Sequence, residues 1–341
     1  MFCAVYEALY DERKTYDKKS AINALLKLAL NGTYGKSNDK YSCFYDPKFT
    51  MSITINGQLS LCVLAEQLLR VPTLKMLMCN TDGLTFSVDQ EYEDEAHEVC
   101  KQWEVITNLE LERAEYQSML IRDVNNYIAV YKDGKTKCKG AYEYANLAWN
   151  KDHSMLVVPK AVEYAFVNDL GDVGIEKYIK KELDNIPVDM YDYMIRFKAP
   201  KSCSVYSETD TGIKTYQQNT GRCYATTTGA YLFKEMPPTS PTSEVIRLVK
   251  DDVTKDFVVG KKTTEIEVEK HIKRGWEVFG ELTVDNPNRI MSILSGQKVG
   301  ICNRASDFDF DKLDYDWYIQ QAKKLLSFGD DDNENEDDAE E

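Results

Sequence analysis

Histidine is scarce. The chain has three in 341 residues, His97, His153 and His271, widely separated, which argues against a histidine-rich metal centre. Cysteine is present but unpaired in pattern. The nine, at 3, 43, 62, 79, 100, 138, 203, 223 and 302, are odd in number and form no C-x-x-C pair. That makes a disulfide scaffold and a zinc knuckle poor readings, and free thiols in a reducing cytosol fit better. No apolar run approaches the roughly 20 residues of a membrane span. The opening Met-Phe-Cys-Ala also lacks the charged-then-apolar plan of a signal peptide. The expectation is a cytoplasmic chain with no membrane partner.

What is present is enough for sizeable cores. Hydrophobic residues make up 43% and aromatic residues 11%, so disorder throughout is ruled out. The length suits two domains, or two subdomains of something larger. The formal charge is −15. Nine of the acids lie in 330–341 (DDDNENEDDAEE), so the rest of the chain carries −6 of that total. The tail reads as a solvated, disordered end, and more sharply as a contact for a basic partner or an internal mimic of DNA lying in a positive groove. The total neither supports nor excludes nucleic-acid binding, which needs only a basic face.

The pattern predicts an α+β chain. Residues 5–36 read as helix broken near Tyr16, ended by Gly32 and Gly35. Residues 50–57 (TMSITING) look extended, and LSLCVLAEQLL returns to helix. TLKMLMCN and LTFSV read as two strands around a turn marked by Asp82-Gly83. Residues 91–106 form an acidic amphipathic helix. ERAEYQSMLI, NNYIAVYK and KTKCKGAYEY are strand-like, the last two joined by Asp133-Gly134. The pattern changes near 145–150, where we place a boundary. VVPKAVEYAFVNDL and DVGIEKYIKKEL follow as helices. RFKAP, CSVYS and GRCYATTTGAYLF are β-like, MPPTSPTSE is a loop, and IEVEKHIKRGWEVF and DYDWYIQQAKKLLSF are helices. Trp149, Trp276 and Trp317 read as core, and His153 as a packed or capping residue.

Two motifs carry chemistry. In Lys27-x-x-x-Asn31-x-x-Tyr34-Gly35, positions i, i+4 and i+7 share one helix face. That face presents a cation that holds phosphate as a point charge, an amide, and a phenol that can stack on a base. Gly35 permits close approach, and Arg13, Lys18 and Lys19 add positive charge upstream. The plain reading is a surface helix with a glycine cap. In Cys79-Asn80-Thr81-Asp82-Gly83, a turn between apolar strands pushes a carboxylate outward, where it can bind a hard cation. The plain reading there is an Asp-Gly turn.

In this order and spacing the two resemble motifs B and C of family B DNA polymerases. KLALNGTYG matches K-x-x-x-N-S-x-Y-G, with Gly32 in the serine position, and MLMCNTDGL matches Y-x-D-T-D-S more loosely. YDERKTYDKKSAINALL resembles the family's fingers helices, and NNYIAVYKDGKTKCKGAYE its K-x-Y region. WNKDHSMLVVPKAVEYAF, NTGRCYATTTGAYLFKEMPP and FDKLDYDWYIQQAKKLL have the look of phage-encoded members. The resemblance implies fingers over 1–40, palm over 41–148, a mixed α/β thumb over 149–328 and an acidic tail over 329–341. It implies a host-cell cytoplasmic location.

By the same resemblance, Lys27, with Arg13 and Lys18, would neutralise a deoxynucleoside triphosphate. Asn31 and Tyr34 would position it. Asp82, with Asn80 beside it, would ligate Mg²⁺ of a two-metal site, and Asp82 and Lys27 would be catalytic. Tyr127, Lys137, Lys139 and Gly140 would meet primer–template DNA. The departures are specific. Asn80 stands where the family has the first Asp of D-T-D. The K-x-Y site reads Asn125-Asn126-Tyr127, so Lys137 or Lys139 must supply its cation. Motif A (D-x-x-S-L-Y-P-S) and the exonuclease motifs are not in the sequence, so a separate polypeptide is expected to bring them. Two other classes stay open: a catalytically inactive DNA-binding remnant or accessory subunit, and a structural protein with an acidic interaction tail.

Overall fold

A computed structural model describes residues 2–145, 147–183, 189–236, 243–259, 262–284 and 290–327. The acidic tail and most of the Pro/Ser/Thr-rich loop fall outside them. The chain divides into two compact units between Glu115 and Tyr116; residues 145–150 lie inside the second. The fold is mixed α+β, and every strand pairing among the described residues is antiparallel.

The first unit opens with α1 (Phe2–Lys14) and α2 (Ala21–Lys36). The break near Tyr16 is where the sequence places it. Ser20 caps α2, its side chain accepting from Asn23 N at 3.2 Å, because a cap oxygen satisfies one of the helix's orphan N–H groups. Gly32 and Gly35 do not end the helix, which runs on to Lys36. A glycine costs only about 1 kcal/mol in a helix interior, and neighbouring turns supply the hydrogen bonds. Residues 50–57 are also helical, inside α3 (Pro47–Leu68). The β-branched run loses to a strong start signal. Asp46 accepts from Phe49 N at 3.1 Å and Pro47 sits in the first turn, where it gives up no bond. The far end of α3 buries Leu64 and Leu68.

Strands β1 (Lys75–Cys79) and β2 (Leu84–Ser87) form a two-stranded sheet, followed by α4 (Glu93–Thr107). Glu93, Asp94 and Glu95 crowd the first turn of α4, where the helix dipole favours negative charge. Leu64, Leu68, Val71, Leu74, Ala96 and Trp103 make the unit's core. The Trp103 indole N–H is satisfied by the Ser60 carbonyl at 2.7 Å.

In the second unit β3 (Tyr116–Asp123), β4 (Asn126–Tyr131) and β5 (Thr136–Lys139) form one sheet. Helices α5 (Val157–Val167) and α6 (Gly171–Ile179) and the short α7 (Met190–Tyr193) follow. A six-stranded sheet is organised on the 16-residue β9 (Thr220–Glu235). It pairs with β6 (Ile195–Lys198) and β7 (Ser204–Thr209), and β8 (Lys214–Gln217) extends β7. The unit also holds β10 (Ser243–Lys250), β11 (Val253–Val259), α8 (Lys262–Ile272) and β12 (Glu277–Val284). β13 (Ile290–Ser292) and β14 (Lys298–Ile301) add to β9, and α9 (Tyr315–Leu326) closes the described chain.

Three further readings change. The segment from Ile266 is not one helix, because α8 stops at Ile272 and the rest becomes β12; Gly275, at φ +82°, makes the break. β10, β11, β13 and β14 are strands that the pattern did not announce. Trp149 is 91% exposed and is not core, whereas Trp317 packs against the main cluster. His153 faces the Ala148 carbonyl at 3.2 Å, as a local capping residue does.

The first unit's core is small, so a single cavity in it should tell. Leu68→Ala is expected to destabilise this unit by about 2–5 kcal/mol. The check is urea unfolding followed by Trp103 fluorescence. An unchanged midpoint would mean that Leu68 is not a keystone of the cluster.

Candidate functional site

The α1–α2 hairpin is held by a buried amide. Asn23, 5% exposed, donates from Nδ2 to the carbonyls of Arg13 and Tyr16, both at 3.1 Å. Its Oδ1 accepts from Arg13 Nε at 3.1 Å. Arg13 is therefore partly committed to closing the hairpin. Lys18 forms an exposed ion pair with Glu112 at 3.2 Å. Such pairs are worth little and exchange readily for another anion.

The packed side of α2 carries Asn23 and Leu30. Lys27, Asn31 and Tyr34 lie on the exposed surface. Tyr34 is anchored by its hydroxyl to Thr54 Oγ1 at 2.9 Å. Neither Lys27 nor Asn31 has a side-chain partner among the described residues. An ammonium and an amide one turn apart are thus left in water beside a phenol held in place. A Cβ added at Gly32 or Gly35 meets nothing within 4 Å, so both glycines border open space. By contrast Lys36, just past them, is neutralised by Asp39 at 2.8 Å.

The β1–β2 hairpin ends in a four-residue loop closed by Asn80 N on the Gly83 carbonyl at 3.0 Å. The Asn80 side chain turns inward, and its Oδ1 accepts from Asp82 N at 3.1 Å. This is an Asx turn. It leaves the Asp82 carboxylate exposed at the tip, without a partner among the described residues. Hard oxygen donors of this kind suit Mg²⁺. However, no group of three or more His, Cys, Asp or Glu side chains gathers among the described residues. The loop offers one carboxylate and one amide oxygen already in use, so it can hold a metal only as part of a larger ligand set.

The remaining candidates belong to the second unit. Tyr127 is 8% exposed on β4, directly opposite Lys139, with Lys137 opposite Ala129. The Lys137 ammonium sits 5.8 Å from the Tyr127 ring centre. Tyr116 and Tyr131 pair across β3 and β4, their rings 5.0 Å apart. Burial acts most strongly on Lys137 and works against its charge, but the phenols of Tyr116, Tyr127 and Tyr131 outweigh it and raise its pKa. Lys139 pairs with Glu143 at 3.2 Å. One face of this sheet therefore mixes phenols with ammonium groups. The other face turns Leu120, Ile128 and Cys138 into the core. There Glu163 of α5 accepts hydrogen bonds from the Thr136 and Tyr144 hydroxyls. Burial first, and then Glu163, pushes the Cys138 thiol up to about 12.

Sequence reasoning missed the residues that hold these groups: Asn23, Asn126 and Glu163. Asn126 Nδ2 donates to both Asp123 oxygens, at 2.9 and 2.7 Å, and its Oδ1 accepts from Ala141 N at 2.7 Å. This clamps the end of β5 against the β3–β4 turn. Gly140 has a local reason: its φ is +63°, and a Cβ would meet Asn126 Oδ1 at 2.2 Å and the Asn125 carbonyl at 2.4 Å. N–H groups of Asn125 and Asn126 hold the Asp123 carboxyl below its ordinary value. The clamp's charge is thus full at neutral pH and fades only as acid protonates it.

No protein-family model matches the sequence, and no curated protein matches it.

Gly140→Ala should destabilise the second unit by about 1–3 kcal/mol through strain at this φ. It should also remove hydrogen-exchange protection at the Ala141 amide, and Asn126→Ala should do the same at Ala141. Unchanged protection in both variants would show that the clamp does not hold β5.

Proposed function

We propose that this chain is the C-terminal part of a phage-type, family B DNA-directed DNA polymerase. It would act with a second polypeptide that carries motif A and the exonuclease. The observation that carries the reading lies within one unit. The exposed face of Lys27 and Asn31 with anchored Tyr34 on α2 is followed in sequence by a β-hairpin with the Asp82 carboxylate at its tip, and Lys27, Asn31 and Asp82 have no side-chain partner among the described residues. On this reading α1 and α2 are fingers, the β1–β2 hairpin and the β3–β5 sheet are palm, and the rest of the second unit is thumb.

The reaction is attack of a primer 3′-hydroxyl on the α-phosphate of a deoxynucleoside triphosphate, with pyrophosphate leaving. The protein contributes position and charge. Lys27 holds the triphosphate as a point charge, and Asn31 hydrogen-bonds sugar or phosphate. Tyr34, fixed through Thr54, stacks on the nascent pair. Asp82 would hold one Mg²⁺, with the second chain's motif A carboxylate completing the set; bound there, the metal supplies charge neutralisation at the phosphates. The tyrosines and lysines of the β3–β5 sheet meet the primer–template.

A second reading, an inactive DNA-binding remnant or accessory subunit, is favoured by one observation. Asn80 replaces a carboxylate, and its oxygen is turned into its own loop.

Primer extension after mixing with a motif A polypeptide separates the two. The chain alone is expected to be inactive and the mixture active. In the mixture, Asp82→Ala should abolish extension and leave DNA affinity within about twofold, since a metal carboxylate acts mainly in the transition state. Asn80→Asp should keep or raise the rate. Extension surviving Asp82→Ala would reduce Asp82 to a turn residue.

Lys27→Ala should raise the nucleotide KM or lower the rate by at least about tenfold, as loss of a charged hydrogen bond worth about 1.5–3 kcal/mol implies. Lys36→Ala, whose charge Asp39 already neutralises, should change either by less than about threefold, within the scatter of exposed ion pairs. Equal effects would point to a diffuse basic surface.

A further inference from the structure

Among the described residues, charges that face each other across the sheets of the second unit are matched in sign, with one exception. Glu208 and Lys214 are direct partners on β7 and β8, 3.8 Å apart. Arg247 and Asp256 are partners on β10 and β11, joined by two hydrogen bonds at 2.7 and 2.9 Å. On β6 and β9, however, the directly opposed residues are Arg196 and Arg222. Both are exposed, and Lys198, two residues along on the same face, is exposed as well.

Like charges placed directly opposite destabilise a strand pair, because the two Cβ atoms lie only about 4.5–5.5 Å apart. No ion pair among the described residues relieves this. Among the described residues neither arginine nor Lys198 makes an ion pair. Two acids of the adjoining loops make local hydrogen bonds instead of ion pairs with the arginines. Asp152 accepts from Ser154 N and Oγ at 3.1 and 2.6 Å, and Asp307 accepts from Arg304 N at 3.2 Å. The backbone beneath the pair is rigid. Arg196 N donates to Ser154 Oγ at 2.8 Å and Arg222 N to Asn303 Oδ1 at 3.0 Å. The opposite face buries Ile195, Phe197 and Cys223. Two arginines are therefore rooted opposite each other on a strand pair whose backbone is tied down.

We infer that Arg196, Arg222 and Lys198 form a docking strip for the phosphate backbone of a nucleic acid, outside the residues assigned to nucleotide or primer above. Guanidinium forks match phosphate oxygens two at a time. The strip lies on an exposed strand face, with no walls to desolvate a small anion, so its affinity must come from a polyanion and counterion release. The contact reads no bases. The inference rests on the polymerase reading for the identity of the nucleic acid, but not for its chemistry.

The experiment is fluorescence anisotropy of the full chain with a labelled primer–template duplex across a salt series, comparing wild type with R196Q/R222Q. The double variant should bind at least about tenfold more weakly at 0.1 M salt, and its plot of log K against log salt should be shallower by about 1.8, for two lost phosphate contacts. Its thermal midpoint should stay or rise, because a repulsive pair has gone. Inorganic phosphate at millimolar concentration should compete no better than its ionic strength predicts. An unchanged slope, or a fall in thermal midpoint that accounts for the weaker binding, would overturn the strip. Specific competition by inorganic phosphate would make it a small-anion site and overturn the polyanion. Extension assays decide the polymerase reading separately: arginine-dependent binding can stand where extension fails, and extension can stand where the arginines do not matter.

Discussion

The second unit depends on finding partners for buried phenols. Tyr142, Tyr193 and Tyr318 are each 0% exposed, and an unmet hydroxyl at that depth costs about 1–3 kcal/mol. Each donates to a distant main-chain carbonyl. Tyr142 reaches Leu325 at 3.0 Å, Tyr193 reaches Ile179 at 2.5 Å, and Tyr318 reaches Tyr193 at 2.6 Å while accepting from Ala225 N at 3.0 Å. These bonds run from α9 to α7 and β9, from α7 to α6, and from the turn after β5 to α9. The requirement to satisfy three hydroxyls fixes how the helices lie on the six-stranded sheet. It thereby fixes the β6–β9 platform and the helix layer behind the β3–β5 sheet.

Local signals were legible where one physical cause dominated. The α1–α2 break, the β1–β2 and β4–β5 hairpins, α4, α5 and α9 all follow from periodicity, caps or turn residues. The failures share a different cause. Residues 50–57 carry β-branched side chains whose preference is a few tenths of a kcal/mol each, and a capped helix nucleus with tertiary packing at Leu64 and Leu68 overrides it. Trp149 shows the limit of reasoning from residue type, because burial is decided by what covers a side chain. The exposed Lys27, Asn31 and Asp82 could be named from spacing. Asn126 and Glu163 could not, since their partners lie 15 to 27 residues away, at Ala141 and Thr136.

Pairing of charges sorts the candidate residues more sharply than their type does. Lys18, Lys36 and Lys139 each have a carboxylate within 3.2 Å, and Arg13 is bonded to Asn23. Lys27 and Asp82 have no partner among the described residues. An unpaired surface charge has no structural reason to be where it is, whereas a paired one has a modest reason. The argument for a ligand is therefore strongest at Lys27, Asp82 and the Arg196–Arg222 pair.

The β1–β2 sheet presses the same point at the level of backbone. A lone two-stranded sheet is marginal in water, and this one leans on the Trp103 cluster through Met76, Leu84 and Phe86. The pairing register shifts between Met76 and Met78, and Leu77 between them is 48% exposed. Neither outer edge pairs with another strand among the described residues. Unpaired N–H and C=O groups beside an exposed leucine form a template for one more strand. The proposed polymerase reading asks for a carboxylate on a strand from another polypeptide, close to Asp82. A strand added to this edge would meet both needs at once, covering Leu77 and satisfying the open backbone while bringing its side chains to the hairpin tip. The same addition would explain why a loop with a single carboxylate sits on a sheet too small to stand by itself.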